Sequence, residues 1–77
     1  MTAHITIKLF ATLKQFTPVA SERYSIHPGI TVKKLLEELG VPQEEVKLVF
    51  IDGVKSELGF VLKGGERIGI FPAVGGG

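Results

Sequence analysis

The sequence predicts an α+β fold in which one helix covers one face of a mixed β-sheet, and three observations carry that expectation. An apolar stripe of Val32, Leu35, Leu36 and Leu39 falls at i, i+3, i+4 and i+7 near the middle of the chain. Segments with period-two alternation lie before it, in 4–10 and 21–27, and after it, in 47–51 and 66–72. Asp52-Gly53, directly after the third of these segments, is the strongest two-residue hairpin signal in the chain.

Taken in order, 4–10 places Ile5, Ile7 and Leu9 on one parity and Thr6, Lys8 and Phe10 on the other, the pattern of a half-buried strand. Leu13 and Phe16 then fall at helical spacing and stop at Thr17-Pro18, which predicts one or two helical turns. Ser21 to His27 alternates again through Tyr24 and Ile26 and stops at Pro28-Gly29, so the first two strands are expected to pair antiparallel. Thr31 is placed to cap the helix 32–39, Gly40 to end it, and Pro42 to prevent continuation. Its outer face carries Lys33 and Lys34 early and Glu37 and Glu38 late, an order that opposes the helix dipole. Strand 47–51 turns at Asp52-Gly53 into a short partner, Val54 to Glu57. Leu58 to Leu62 is apolar but irregular and is expected to pack as a loop over the edge of the core. Gly64-Gly65 then turns into the last strand, 66–72, with Ile68 and Ile70 on one parity.

Strand, strand, helix, strands, joined by a right-handed crossover through the helix, is the β-grasp pattern. If Ile5, Ile7, Leu9, Val49, Ile51, Ile68 and Ile70 face the helix, alternation turns Phe10, Leu48, Phe50 and Phe71 to the open side. Three of five phenylalanines would then share one surface. Either that surface docks a partner, or a bulge or the 58–62 loop changes the parity, or these residues merely cover the sheet's edges.

Composition excludes several function classes. Seventy-seven residues with 44% hydrophobic content make one domain with enough apolar side chains for a core. Nine basic and eight acidic residues leave a net charge of +1, which gives no general attraction to nucleic acid or anionic membrane. The absence of cysteine removes disulfides and thiolate chemistry. No apolar run approaches the ~20 residues of a membrane span, and Met1-Thr2-Ala3-His4 opens no signal peptide, so a cytoplasmic location is expected. His4 and His27 have no metal-ligand spacing, Gly64-Gly65 lacks the rest of a phosphate loop, and no serine sits in a nucleophile elbow. The chain is not expected to be an enzyme on its own, nor to bind a cofactor or metal.

The remaining signal is the ending, Phe71-Pro72-Ala73-Val74-Gly75-Gly76-Gly77. Residues 1–72 are expected to form the body and 73–77 a flexible tail. Five residues beyond Pro72, fully extended, span about 16 Å. Glycine lets such a tail thread a slot too narrow for side chains. The alternative is an inert frayed end.

These motifs together resemble the ubiquitin-like sulfur-carrier family (MoaD/ThiS type), and most of all the small subunit of molybdopterin synthase. The resemblance rests on the opening Ile5-Thr6-Ile7-Lys8-Leu9-Phe10-Ala11, on Thr31-Val32 before Leu35-Leu36, on Asp52-Gly53, on Leu62-Lys63-Gly64-Gly65-Glu66, and above all on the Phe-Pro-containing Gly-Gly ending. Ala73 stands where the family has a second proline, and Asp52 where it often has asparagine. The resemblance implies that Gly77 is adenylated by a ubiquitin-like adenylating enzyme using ATP and converted by a sulfur donor to a thiocarboxylate. Gly75 and Gly76 would thread the tail into a large synthase subunit, and Phe10, Phe50, Phe71, Pro72 and Val74 would contact partners. The sulfur acceptor would be the molybdopterin precursor; the alternatives are thiamine thiazole synthesis, tRNA thiolation, and a ubiquitin-like modifier joined to lysines through its terminal glycine. An interaction module with an inert tail is the remaining reading.

Overall fold

A computed structural model describes residues 3–73. Its sheet contains β1 (Ala3–Leu9), β2 (Tyr24–Ile26), β3 (Val46–Ile51), β4 (Val54–Ser56) and β5 (Arg67–Pro72) in the spatial order β2-β1-β5-β3-β4. A helix, α1 (Val32–Leu39), packs on one face. β5 lies at the centre, parallel to β1 and antiparallel to β3. This is the expected mixed sheet of a β-grasp fold.

The helix forms where its stripe, caps and neighbours agree. Val32, Leu35 and Leu36 are fully buried, and Leu39 is half-buried at the end of the stripe. The Thr31 side chain accepts a hydrogen bond from the Lys34 N–H. The N–H groups of Val32 and Lys33 would otherwise lack intrahelical partners; they donate to the carbonyls of Phe60 and Leu58 at 3.0 and 2.9 Å. The 58–62 loop therefore supplies the start of the helix as well as covering the core. It also fixes its own place, with Gly29 N–H donating to Leu62 O, Leu62 N–H donating to Ile30 O, and the Leu62 side chain fully buried. At the other end Gly40 adopts φ +79° and Val41 N–H reaches back to Leu36 O, a Schellman-type stop sealed by the buried Val41 side chain.

The Asp52-Gly53 turn has φ of +52° and +83°, the two left-handed residues that a type I′ hairpin requires. β3 starts one residue before its sequence-derived limit, and β4 stops at Ser56 rather than Glu57. The expected strand 21–27 is shortened to 24–26, because Ser21–Arg23 forms a 3-10 turn closed by Arg23 N–H to Ala20 O and held by the Thr6 hydroxyl donating to Glu22 O. Ala11–Phe16, expected as helical turns, is a 3-10 helix entered through Ala11 at φ +53°.

The turn into β5 is specified by a buried carboxylate and a crowded glycine. Glu66 accepts hydrogen bonds from the backbone N–H groups of Lys63 and Gly64 at 2.8 and 2.7 Å, so the one buried charged residue among those described is satisfied by backbone. Gly64 has φ +126°, and a Cβ there would lie 2.6 Å from Ala3 Cβ on β1. Neither atom can swing away. Gly64→Ala is expected to cost about 3 kcal/mol, from backbone strain and overpacking together, measured by denaturant unfolding.

Candidate functional face

Alternation along β1, β3 and β5 divides the sheet cleanly. Ile5, Ile7, Leu9, Val49, Ile51, Ile68 and Ile70 are all buried beneath the helix. Their neighbours in sequence therefore form the opposite, open face. Register aligns that face in rows across the strands. Lys8 pairs with Gly69, Gly69 with Phe50, and Phe50 with Lys55, so these residues form one row from β1 to β4. In the next row Phe71 lies opposite Leu48, and Phe10 extends the β1–β5 pairing through its N–H to Ile70 O at 3.1 Å.

The three sequence-predicted phenylalanines are brought together. Phe10 and Phe71 stack with ring centroids 4.2 Å apart and planes 2° from parallel. Phe50 meets Phe71 edge to face at 5.5 Å. All three are half-buried, covered by one another rather than by any other layer. The bulge weighed as a threat to this parity does occur, between Val46 and Leu48, but it lies at the start of β3 and leaves Leu48 and Phe50 on the open side. Pro72 ends β5 half-buried, and Ala73 N–H donates to Glu45 O at 3.1 Å. Val74, Gly75, Gly76 and Gly77 lie outside the described residues.

Gly69 was not singled out by sequence reasoning. It floors an open hollow of about 580 Å³ lined by Phe10, Phe50 and Phe71 on one side and by Lys8, Arg67 and Asp52 on the other. A Cβ at position 69 would sit 3.5 Å from the Phe10 ring and 3.8 Å from the Phe71 ring, so the missing side chain creates the depression between them. Asp52 is committed to the turn: its Oδ1 accepts from Arg67 N–H at 3.0 Å, and its own N–H donates to Arg67 O at 2.8 Å. The signal available in sequence was parity, since Gly69 and Arg67 share that of Phe71, and Lys8 shares that of Phe10.

His4 shares the open side of β1 with Thr6 and Lys8 but does not line the hollow. The Tyr24 phenol is pushed above its usual range by burial and then by the Glu38 carboxylate, but Tyr24 lies on the helix side of β2, against the core. No group of three metal-ligating side chains occurs among the described residues, and no helix among them is long and apolar enough to cross a membrane.

Several solved structures share the fold. A Haloferax volcanii protein, HVO 2177, aligns with a TM-score of 0.75 at 20% identity, over 99% of this chain and 88% of that one. Small archaeal modifier protein 1 of H. volcanii aligns with a TM-score of 0.66 at 24% identity, over 94% and 99%. A Pyrococcus furiosus protein described as molybdopterin converting factor, subunit 1, aligns with a TM-score of 0.63 at 21% identity, over 94% and 99%. At these identities the likeness is one of fold. No curated protein matches the sequence. The family model for Mut7-C ubiquitin matches residues 2–75, spanning the sheet, the helix and the aromatic face, and the chain belongs to the Mut7-C ubiquitin family.

Proposed function

We propose that this protein is a sulfur carrier whose C-terminal Gly77 is adenylated and converted to a thiocarboxylate, and that it donates sulfur as the small subunit of a molybdopterin synthase-type enzyme. The observation that carries this reading is the course of β5. The central strand β5 brings Phe71 to the aromatic cluster and ends at Pro72, and the sequence that follows it is Ala73-Val74-Gly75-Gly76-Gly77. A partner seated on the open face would thus lie beside the start of the tail.

The chemistry follows from the terminus. A carboxylate with an ordinary pKa of about 3.5 is ionised at neutral pH and resists nucleophiles. Attack of that carboxylate on ATP gives an acyl-adenylate and pyrophosphate; a sulfur donor then displaces AMP and leaves sulfur in place of one oxygen. The catalytic side chains belong to the adenylating enzyme and to the large synthase subunit. The carrier contributes position, a threadable Gly75-Gly76, and the sulfur.

The likeness to a small archaeal modifier protein favours one second reading, in which the activated Gly77 is captured by a lysine as an isopeptide bond. Intact mass after incubation with ATP, a sulfur donor and the adenylating enzyme of the same genome tests the first reading. The expected result is a gain equal to sulfur for oxygen, mapped to Gly77. Lysine adducts without that gain would favour the modifier, and no change with a demonstrably active enzyme would overturn both.

A further inference from the structure

The open face has a charge pattern as specific as its aromatic one. Lys8 and Lys55 stand at the two ends of the row that runs Lys8, Gly69, Phe50, Lys55, and Arg67 borders the same hollow. All three are exposed, and no ion pair among the described residues engages any of them. The nearest carboxylate lining the hollow, Asp52, is held by the backbone of Arg67. Of the nine basic residues, Lys8, Lys55 and Arg67 lie on this face; among the described residues Asp52 is the one carboxylate lining the hollow, while Glu37 and Glu38 share α1 with Lys33 and Lys34.

We infer that the open face takes a folded protein partner that inserts an apolar side chain into the hollow over Gly69 and surrounds it with carboxylates facing Lys8, Lys55 and Arg67. The inference rests on the carrier reading above, in which the face docks a processing enzyme, and it specifies that enzyme's surface. The hollow without a Cβ at its floor supplies room for the apolar group, and the three phenylalanines supply its walls. Unpaired exposed cations around a desolvated centre raise the association rate for an acidic surface and reject a basic one.

The same pattern disfavours a second copy as the occupant. Two copies related face to face by a two-fold axis along the strands would set Lys8 over the partner's Lys55. An axis along the row would set each lysine over its own equivalent. Either arrangement centred on Gly69 and Phe50 places cation on cation while burying the apolar centre. Free chains are accordingly expected to remain monomeric despite the three half-buried rings on this face.

The test uses the full chain with the purified adenylating enzyme of the same genome, scoring binding by calorimetry at low and high salt and Gly77 activation by mass. Binding is expected to weaken steeply with salt. Lys8→Glu, Lys55→Glu and Arg67→Glu should each raise Kd about threefold or more, and their combination about 30-fold or more, with unchanged melting. Gly69→Leu should weaken binding at both salt levels by filling the hollow, with Gly69→Ala as the milder control, since its Cβ meets only ordinary contact distances. Charge variants that bind like the wild type while Phe71→Ala does not would overturn the inference and leave the carrier reading intact. Dimerisation of the free chain through this face, or tight binding of a labelled oligouridylate that depends on Lys8 and Arg67, would also overturn it. Salt-sensitive, Lys8- and Arg67-dependent docking with no product at Gly77 would remove the carrier reading and keep the inference.

Discussion

A chain with one alanine added after Gly77 is expected to gain no sulfur in the activation assay, and to melt with the wild type. The reacting group on the carrier reading is the terminal carboxylate itself. An extra residue moves that carboxylate by about 3.5 Å and puts a methyl group beside it. A displacement of about 1 Å in a reacting pair already costs about 100-fold in rate, so activation should fall at least that far. Gly76→Leu tests the same geometry differently: the carboxylate keeps its distance along the chain, but a side chain now has to pass wherever Gly76 passes. It too should lower activation by about 100-fold. Stability should not move in either variant, because the core is assembled from residues between Ile5 and Ile70. Full sulfur loading of the extended chain would sink the carrier reading, whereas loss of loading together with a lowered melting temperature would point to unfolding instead.

The helix and the central hairpin were legible in the sequence because local signals for them agree. Val32, Leu35, Leu36 and Leu39 set the helix period, Thr31 and Gly40 set its ends, and the observed element runs from Val32 to Leu39. Asp52-Gly53 demanded two left-handed residues and has them. Ser21–Arg23 departs from the expected strand because Arg23 N–H closes a local turn on Ala20 O and the Thr6 hydroxyl, sixteen residues earlier in the chain, holds Glu22 O. Parity alone grouped Phe10, Phe50 and Phe71, since alternation needs only a correct choice of buried face. It could not reveal the row that joins Lys8 to Lys55 through Gly69 and Phe50. Such a row depends on the register of three strand pairs, two of them formed between segments far apart in sequence. Gly69 was least visible, because its contribution is the side chain it lacks.

Ile70 and Phe71 are neighbours on the central strand, and replacing each by alanine is expected to give opposite phenotypes. Ile70 is fully buried under α1 with β1 and β3 on either side, so Ile70→Ala leaves a cavity that adjoining strands cannot collapse to fill. The cost should be about 4 kcal/mol. A domain of this length has about 4–12 kcal/mol in total at the usual stability per residue, so this variant should melt far lower or be largely unfolded at room temperature. Phe71 is half-buried on the other face, stacked on Phe10 and edged by Phe50. Its removal forfeits those ring contacts, about 1 kcal/mol, and leaves the core intact. Docking should suffer more than folding: loss of a central aromatic anchor corresponds to about 2 kcal/mol, or roughly 30-fold in Kd for the adenylating enzyme. Calorimetric melting and binding on the two variants separate the roles. If Phe71→Ala destabilised the fold as much as Ile70→Ala while binding of the folded fraction stayed unchanged, the aromatic cluster would be a second small core and the docking role of this face would fall.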